Sequence, residues 1–250
     1  MSLSVVIITK NEEAAIEACL DSVDWADEII VFDSGSTDRT VEICRRYTEE
    51  VYETDWPGFG PQKNRAMAKA TGDWILSLDA DERIPPALKK EIQQAVADPD
   101  APDAFAMPRL SSFCGRPIRH AGWWPDYITR LVRNGKARFS DDLVHERLII
   151  DGTTVRLAHP IAHEAFESLE DAIETMNRYT TAGALMMHRR GESSSLWKAV
   201  SHGLWSFVYS YVGRGGFLDG REGFLVALYV AEHTFYRYAK RLYLEDDKTP

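Results

Sequence analysis

Residues 74–82 read WILSLDADE, an apolar run that breaks abruptly into carboxylates. A short continuous apolar run suits a strand buried on both faces, and the acids after it mark the strand's carboxyl end. The same pattern recurs upstream. Leu3–Thr9 (LSVVIIT) leads into Lys10, Asn11, Glu12 and Glu13, and Glu28–Phe32 (EIIVF) leads into DSGSTD at residues 33–38. Between these runs the spacing turns helical. Ala15, Ile16, Cys19, Leu20 and Val23 share one side of a helix expected over Glu12–Val23. Further helices are expected over Thr40–Tyr47, Lys63–Ala70 and Pro86–Ala97, with a short third strand at Val51–Tyr52. Strand–helix alternation with short connections predicts an α/β fold, a mostly parallel central sheet flanked by helices. Ligands of such sheets bind beyond the carboxyl ends of the strands, where TKNEE, DSGSTD and DADE fall.

The chain has 250 residues, enough for one large domain or a core with an appendage. Its formal net charge of −10 argues against a nucleic-acid partner, which calls for a basic face. Cys19, Cys44 and Cys114 are odd in number and far apart, forming neither a zinc spacing nor a disulfide framework. A reducing cytoplasm is therefore the expected location. The N-terminus runs directly into a β-branched apolar segment without a basic leader, so no signal peptide is expected.

Two carboxylates at i and i+2 past a strand end, Asp79 and Asp81, can approach one hard cation. Such a cation would neutralise a departing diphosphate. A solvated turn with a helix cap is the plain alternative. Asp33 can accept hydrogen bonds from a base or ribose, while Ser36 and Asp38 are candidates to cap the following helix, with one of Ser36 and Thr37 expected to do so. Thr9, Asn11 and Glu12 follow the first strand in the same way. Lys63 and Asn64 lie at an expected helix start after WPGFGP, a natural place to meet phosphate, although a lone lysine there is more often a surface residue. His163, after a later strand, is a candidate metal ligand with a structural role as its alternative.

In order, IITKNEE, VFDSGSTD and GFGPQKNRAMAKATGDWILSLDADE resemble the inverting family 2 glycosyltransferases of the GT-A fold. The resemblance implies that Thr9, Glu12 and Asp33 line a nucleoside pocket, together with the neighbouring Asn11. It implies that Lys63 lies near the nucleotide, that Asp79 faces ribose or metal, and that Asp81 holds the metal. Cofactors so implied are a nucleotide-sugar donor, with a UDP-sugar expected, and Mg2+ or Mn2+. Many members carry a Glu-Asp pair in the acceptor half. Here the corresponding stretch is FSDDLVHE, which gives Glu146 the role of catalytic base. Asp126 in WWPD is a second candidate, and His145, Asp141 and Asp142 are rivals. Farther along, FCGRPIRHAGWWPDYITRLVRNGKARF, SLEDAIETMNRYT and GFLDGREGFLVALYVAEHTFYRYAK resemble the bacterial lipopolysaccharide inner-core glucosyltransferases. That narrower likeness implies transfer of a hexose, glucose by expectation, to a lipid-linked oligosaccharide.

Residues 1–165 are thus expected to form a GT-A-like, Rossmann-like catalytic domain, and 166–250 a helical region for acceptor or membrane contact. One helix is expected over Ser168–His188. Residues 196–244 then carry six Lys or Arg against three acids among many aromatic residues. The apolar stretches 199–213 and 223–231 are too short to span a bilayer. They fit helices lying in a membrane interface, on the inner face of the cytoplasmic membrane by expectation. Packing on the catalytic domain, or on a second subunit as a homodimer, is the alternative. A nucleotidyltransferase or dinucleotide enzyme lacks support, because no glycine-rich loop follows the first strand. The rival from another class is a non-catalytic sugar-nucleotide-binding or membrane-scaffolding module of the same fold.

Overall fold

The computed structural model of the chain describes residues 1–140 and 147–244. In chain order its elements are β1 (Leu3–Thr9), α1 (Ile16–Asp21), β2 (Glu28–Asp33), α2 (Thr40–Cys44), β3 (Val51–Glu53), α3 (Phe59–Met67), β4 (Trp74–Asp79), β5 (Glu82–Arg83), α4 (Pro86–Ala97), β6 (Ala104–Phe113), β7 (Arg116–Pro117), β8 (Asp126–Arg133), β9 (Ala137–Phe139), β10 (Leu148–Ile150), β11 (Thr154–Arg156) and β12 (Ile161–Phe166). The helices α5 (Leu169–Arg189), α6 (Leu196–Val208) and α7 (Gly220–Leu242) follow. The chain divides into two compact units: residues 1–109 with 126–163, and residues 110–125 with the chain from 164 onward. The second unit therefore holds, besides the C-terminal helices, an excursion that interrupts the first.

In the first unit β3, β2, β1 and β4 lie side by side and parallel. Beyond β4 the sheet changes sense, since β8 runs antiparallel to both β4 and β6. The parallel half is thus the helix-flanked parallel sheet predicted, continued by an antiparallel half. Strand β1 is buried along its whole length, because successive side chains point to opposite faces and both faces are covered. Leu3, Val5 and Ile7 enter the core shared with Ile16 and Leu20 of α1 and with Leu88 and Ile92 of α4. Val6 and Ile8 enter the opposite core with Ala66 and Met67 of α3.

The helices expected to end at Val23, Tyr47 and Ala70 end earlier, at Asp21, Cys44 and Met67, and two helix starts are displaced by four residues for identifiable reasons. The helix expected from Glu12 begins only at Ile16. Asn11 adopts a left-handed φ of 57°, and the next two amides are drawn away from the helix: Glu12 N donates to Thr40 Oγ1 and Glu13 N to Asp38. The helix expected from Lys63 instead begins at Phe59, because Gly58, at φ 113°, turns the chain into it four residues earlier.

In the second unit Phe113, Ile118, Phe166, Ala172 and Val226 form a core of their own. Ser168 caps α5 by accepting a hydrogen bond from Asp171 N. Lys240 of α7 places its ammonium against Asn177, Thr180 and Thr181 of α5. A π-helical turn, Tyr209–Gly213, continues α6, and a 3-10 turn, Gly216–Asp219, leads into α7. Among the described residues no helix is long and apolar enough to cross a membrane.

Candidate active site

Strand register brings the first group of predicted residues together. Thr9 stands opposite Asp33 in the β1–β2 pair, and Ile8 opposite Asp79 in the β1–β4 pair. Three neighbouring strands therefore end at one level, with Asp33, Thr9 and Asp79 at their carboxyl ends. Adjacent strands are about 4.8 Å apart, so the two acids are separated by roughly 10 Å of sheet.

Asp33 is fully buried. Its carboxylate accepts from Thr9 Oγ1 at 3.0 Å, Gly35 N at 2.9 Å and Ser36 N at 2.8 Å. Asp33 thus shapes the backbone of its own loop. Asn11 ties that loop to the first one: its N donates to Ser36 Oγ and its Oδ1 accepts from Thr37 N, both at 2.8 Å. Neither Ser36 nor Thr37 caps the following helix: its cap position is Arg39, without a side-chain cap bond, and Asp38 Oδ1 accepts from Thr40 N at 3.0 Å. Ser36 and Thr37 are engaged with Asn11. Thr9, Asn11, Glu12 and Asp33 accordingly belong to one hydrogen-bonded pair of loops.

Lys63 is not a surface lysine. It is 3% exposed, and its ammonium meets Asp79 Oδ1 at 2.9 Å. Its neighbour Asn64 fixes α3 to β9, donating to Phe139 O at 2.9 Å and accepting from Phe139 N at 2.8 Å. The Phe139 ring lies 5.2 Å from the Lys63 ammonium, a cation–π distance.

On its other side Asp79 meets Arg130 of β8, and the same guanidinium nitrogen donates to Glu82 Oε1 at 2.6 Å. Glu82 Oε2 accepts from Asp79 N at 3.1 Å, closing the DADE turn on itself. Arg109 stands 3.9 Å from Glu82 and bonds Asp126 Oδ2 through Nε at 3.1 Å and Nη2 at 2.7 Å. Charges alternate along this row: Lys63, Asp79, Arg130, Glu82, Arg109, Asp126. Burial alone would raise the Asp79 carboxyl, but Arg130 and Lys63 outweigh it and hold the group well below the usual carboxylate range. Burial pushes Glu82 up, against the pull of Arg130. Burial would lower Arg130, and the charges of Asp79 and Glu82 reverse that and raise it. Asp79 and Arg130 are therefore a fixed ion pair at neutral pH.

Asp81 differs from its neighbours. Its Oδ2 lies 3.2 Å from His163 Nε2, because β12 pairs with β5 so that His163 faces Glu82 in register. Its Oδ1 is buried without a hydrogen-bond partner. A buried carboxylate oxygen left without a donor is costly in a protein alone, and its chemistry fits a hard cation. Among the described residues no group of three or more His, Cys, Asp or Glu side chains gathers as a complete metal site. Asp81 and His163 could supply two donors, and other ligands would have to complete the set.

Glu146, with its rivals Asp141, Asp142 and His145, lies outside the described residues. The segment's flanks are described. Ser140 N donates to Arg147 O at 2.9 Å and Arg147 N to Ser140 Oγ at 3.0 Å. Leu148 pairs with Phe139, the residue that Asn64 holds beside Lys63.

Sequence reasoning missed Arg130, Glu82 and Arg109. Arg130 and Arg109 fall within strands, where arginine usually reads as a solvent-facing position. The available signal was the apolar company of Arg130 in ITRLV.

The sequence profile of Glycosyl transferase family 2 matches residues 4–153, more than half the chain. The chain belongs to that family and is a glycosyltransferase by its membership. It is 28% identical to the lipopolysaccharide core biosynthesis glycosyltransferase LpsC of Rhizobium meliloti (strain 1021), over 96% of this chain and 92% of that one. It is 30% identical to an uncharacterized glycosyltransferase of Rickettsia prowazekii (strain Madrid E), over 95% of this chain and 86% of that one. Among solved structures, residues 1–349 of TarS from S. aureus in complex with UDP align with a TM-score of 0.48 at 19% identity, covering 70% of this chain and 63% of that one.

Proposed function

We propose that the protein is a metal-dependent inverting glycosyltransferase. It moves a hexose, glucose by expectation, from a UDP-sugar to a lipid-linked oligosaccharide of the lipopolysaccharide core. The observation that carries this reading is the strand-end cluster: buried Lys63 paired to Asp79, beside Asp81 with an unpartnered buried oxygen. Similarity to LpsC along nearly the whole chain supports the acceptor class. Such an acceptor places the enzyme at the inner face of the cytoplasmic membrane as a peripheral protein, with the second unit serving acceptor and membrane contact.

Asp81 and His163 would hold Mg2+ or Mn2+, which when bound neutralises charge on the donor's diphosphate. Thr9, Asn11, Glu12 and Asp33 build the loops that receive the nucleoside. Lys63 stands ready to share its charge between Asp79 and a phosphate, stabilising the leaving group as negative charge develops. Glu146 takes the proton from the acceptor hydroxyl as that oxygen attacks the anomeric carbon. A single displacement with one base inverts the centre, so an α-linked donor gives a β-glycoside. Asp126 is the weaker candidate for the base, since Arg109 donates two hydrogen bonds to one of its oxygens.

The test is product stereochemistry by proton NMR with a UDP-sugar and a core-type acceptor, for wild type, Glu146→Gln and Asp126→Asn. The reading predicts a β-linked product, and loss of about 10²-fold or more in kcat for Glu146→Gln with donor affinity kept. An α-linked product, or full activity in Glu146→Gln, would refute it.

A further inference from the structure

Helix α6 is apolar on two opposite sides. Ala199 and Gly203 are buried on one of them, and a Cβ at Gly203 would stand 3.2 Å from both Ala231 O and Phe235 Cβ, so this side packs closely on α7. The opposite side carries Trp197, Val200, Leu204, Trp205 and Val208, at the i, i+3, i+4 spacing of a single face. Trp197 is 77% exposed, Leu204 65% and Trp205 67%. Isolated exposed apolar residues need no explanation, but a contiguous helical face with two tryptophans does. Just beyond it Phe217 and Leu218 are also exposed, on a turn held from below: Asp219 is buried and accepts from Arg119 N at 3.0 Å and His120 N at 2.8 Å.

Within the segment that carries this face, residues 193–228, the charged side chains that are not buried are bases. From residue 193 to 228 the bases are Lys198, Arg214 and Arg221, and the acids are Asp219 and Glu222. Both acids are buried. Asp219 is paired with His120, and Glu222 is shared between Arg116 and Arg221. A chain of net charge −10 therefore presents basic side chains where it presents its open tryptophans.

We infer that the outer face of α6 docks on an anionic lipid surface, with Trp197, Leu204 and Trp205 entering the interface and Lys198 and Arg214 meeting lipid phosphates. Tryptophan is suited to that depth, having an apolar body and a polar N–H. An amphipathic helix with basic flanks binds through apolar burial plus attraction to anionic headgroups. A two-fold dimer through the same face would gather two copies each of Lys198 and Arg214 in one interface, whereas anionic lipid favours them. This inference deepens the membrane-surface part of the proposed function and names the face responsible. Its test uses vesicles free of donor and acceptor, so its failure would leave the transfer chemistry standing.

The experiment is flotation of the full chain with phosphatidylcholine vesicles, with and without phosphatidylglycerol, alongside light scattering for oligomeric state. Wild type should float with the anionic vesicles and lose binding as salt rises. Trp197→Ser/Leu204→Ser/Trp205→Ser should bind about tenfold or more weakly while keeping wild-type UDP binding. Lys198→Gln/Arg214→Gln should lose the preference for phosphatidylglycerol. Should the triple variant not fold, brominated-lipid quenching of tryptophan fluorescence replaces it: quenching should fall in Trp197→Phe and in Trp205→Phe. Absence of wild-type flotation, undiminished binding by the triple variant, unchanged quenching in both single variants, or a dimer that the triple variant splits without any vesicle binding would each overturn the inference.

Discussion

Arg130 is the residue on which the DADE turn depends most. Its guanidinium bridges Asp79 and the fully buried Glu82, and so holds in place the turn that carries Asp81. Removing one partner of a buried ion pair leaves an uncompensated charge, at a cost of about 3–5 kcal/mol. Arg130→Met should therefore lower stability by about that amount in denaturant titration. Adding Glu82→Gln, which removes one of the stranded carboxylates, should restore a substantial part of it. A double variant no more stable than Arg130→Met would show that Glu82 does not feel Arg130. Asn64 makes a comparable link by different means. Its two hydrogen bonds to Phe139 hold β9 against α3, so Asn64→Ala should cost about 1–3 kcal/mol and weaken donor binding through the loss of order beside Lys63, measurable by calorimetry with UDP.

At the scale of elements, the packing of α6 on α7 depends on the missing side chain of Gly203. Substitution by leucine must push the helices apart, at a cost of about 1–3 kcal/mol. It should raise amide exchange in α6 and α7 before it affects β1 or β4. Helix α7 also carries a pH signature. Burial, followed by the charges of Arg237 and Lys240, lowers the pKa of His233 below its usual 6.5. The folded state thus favours neutral imidazole while the unfolded chain binds the proton more readily, so the contribution of His233 to stability is present above pH 6.5 and is lost as pH falls through the lowered folded value. Wild type should lose more stability than His233→Gln between pH 7.5 and pH 5, as read from melting temperature; equal losses would remove His233 from the account. Much of this level could be read from the sequence. The parallel strands followed from uninterrupted apolar runs, and the loops that leave them from the acids that ended them. The helix starts did not, because Asn11 and Gly58 set them through backbone geometry and through hydrogen bonds to loops some 25 residues away.

At the scale of the whole molecule, the residues predicted for donor contact converge because three strand ends share one level, and the alternation of the sequence foretold that arrangement. The charged row behind them was hidden. Arg130 lies 51 residues from Asp79, and its apolar company in ITRLV hints at burial without naming so distant a partner. The assignment of residues 110–125 to the unit containing the C-terminal helices was equally hidden, since it rests on contacts such as those of Arg119 and His120 with Asp219, about 100 residues on.

The central claim is that these strand ends form a donor site completed by a divalent cation at Asp81. The most direct test is the thermal shift produced by UDP with Mn2+, Mg2+ or EDTA, in wild type and Asp81→Ala. The account predicts stabilisation of wild type that requires the metal and disappears in the variant, while the variant without ligand melts close to wild type, because it loses the Oδ2 contact with His163 at 3.2 Å but is also relieved of a buried Oδ1 that has no hydrogen bond. Stabilisation by UDP that is equal in EDTA, or that survives in Asp81→Ala, would contradict it.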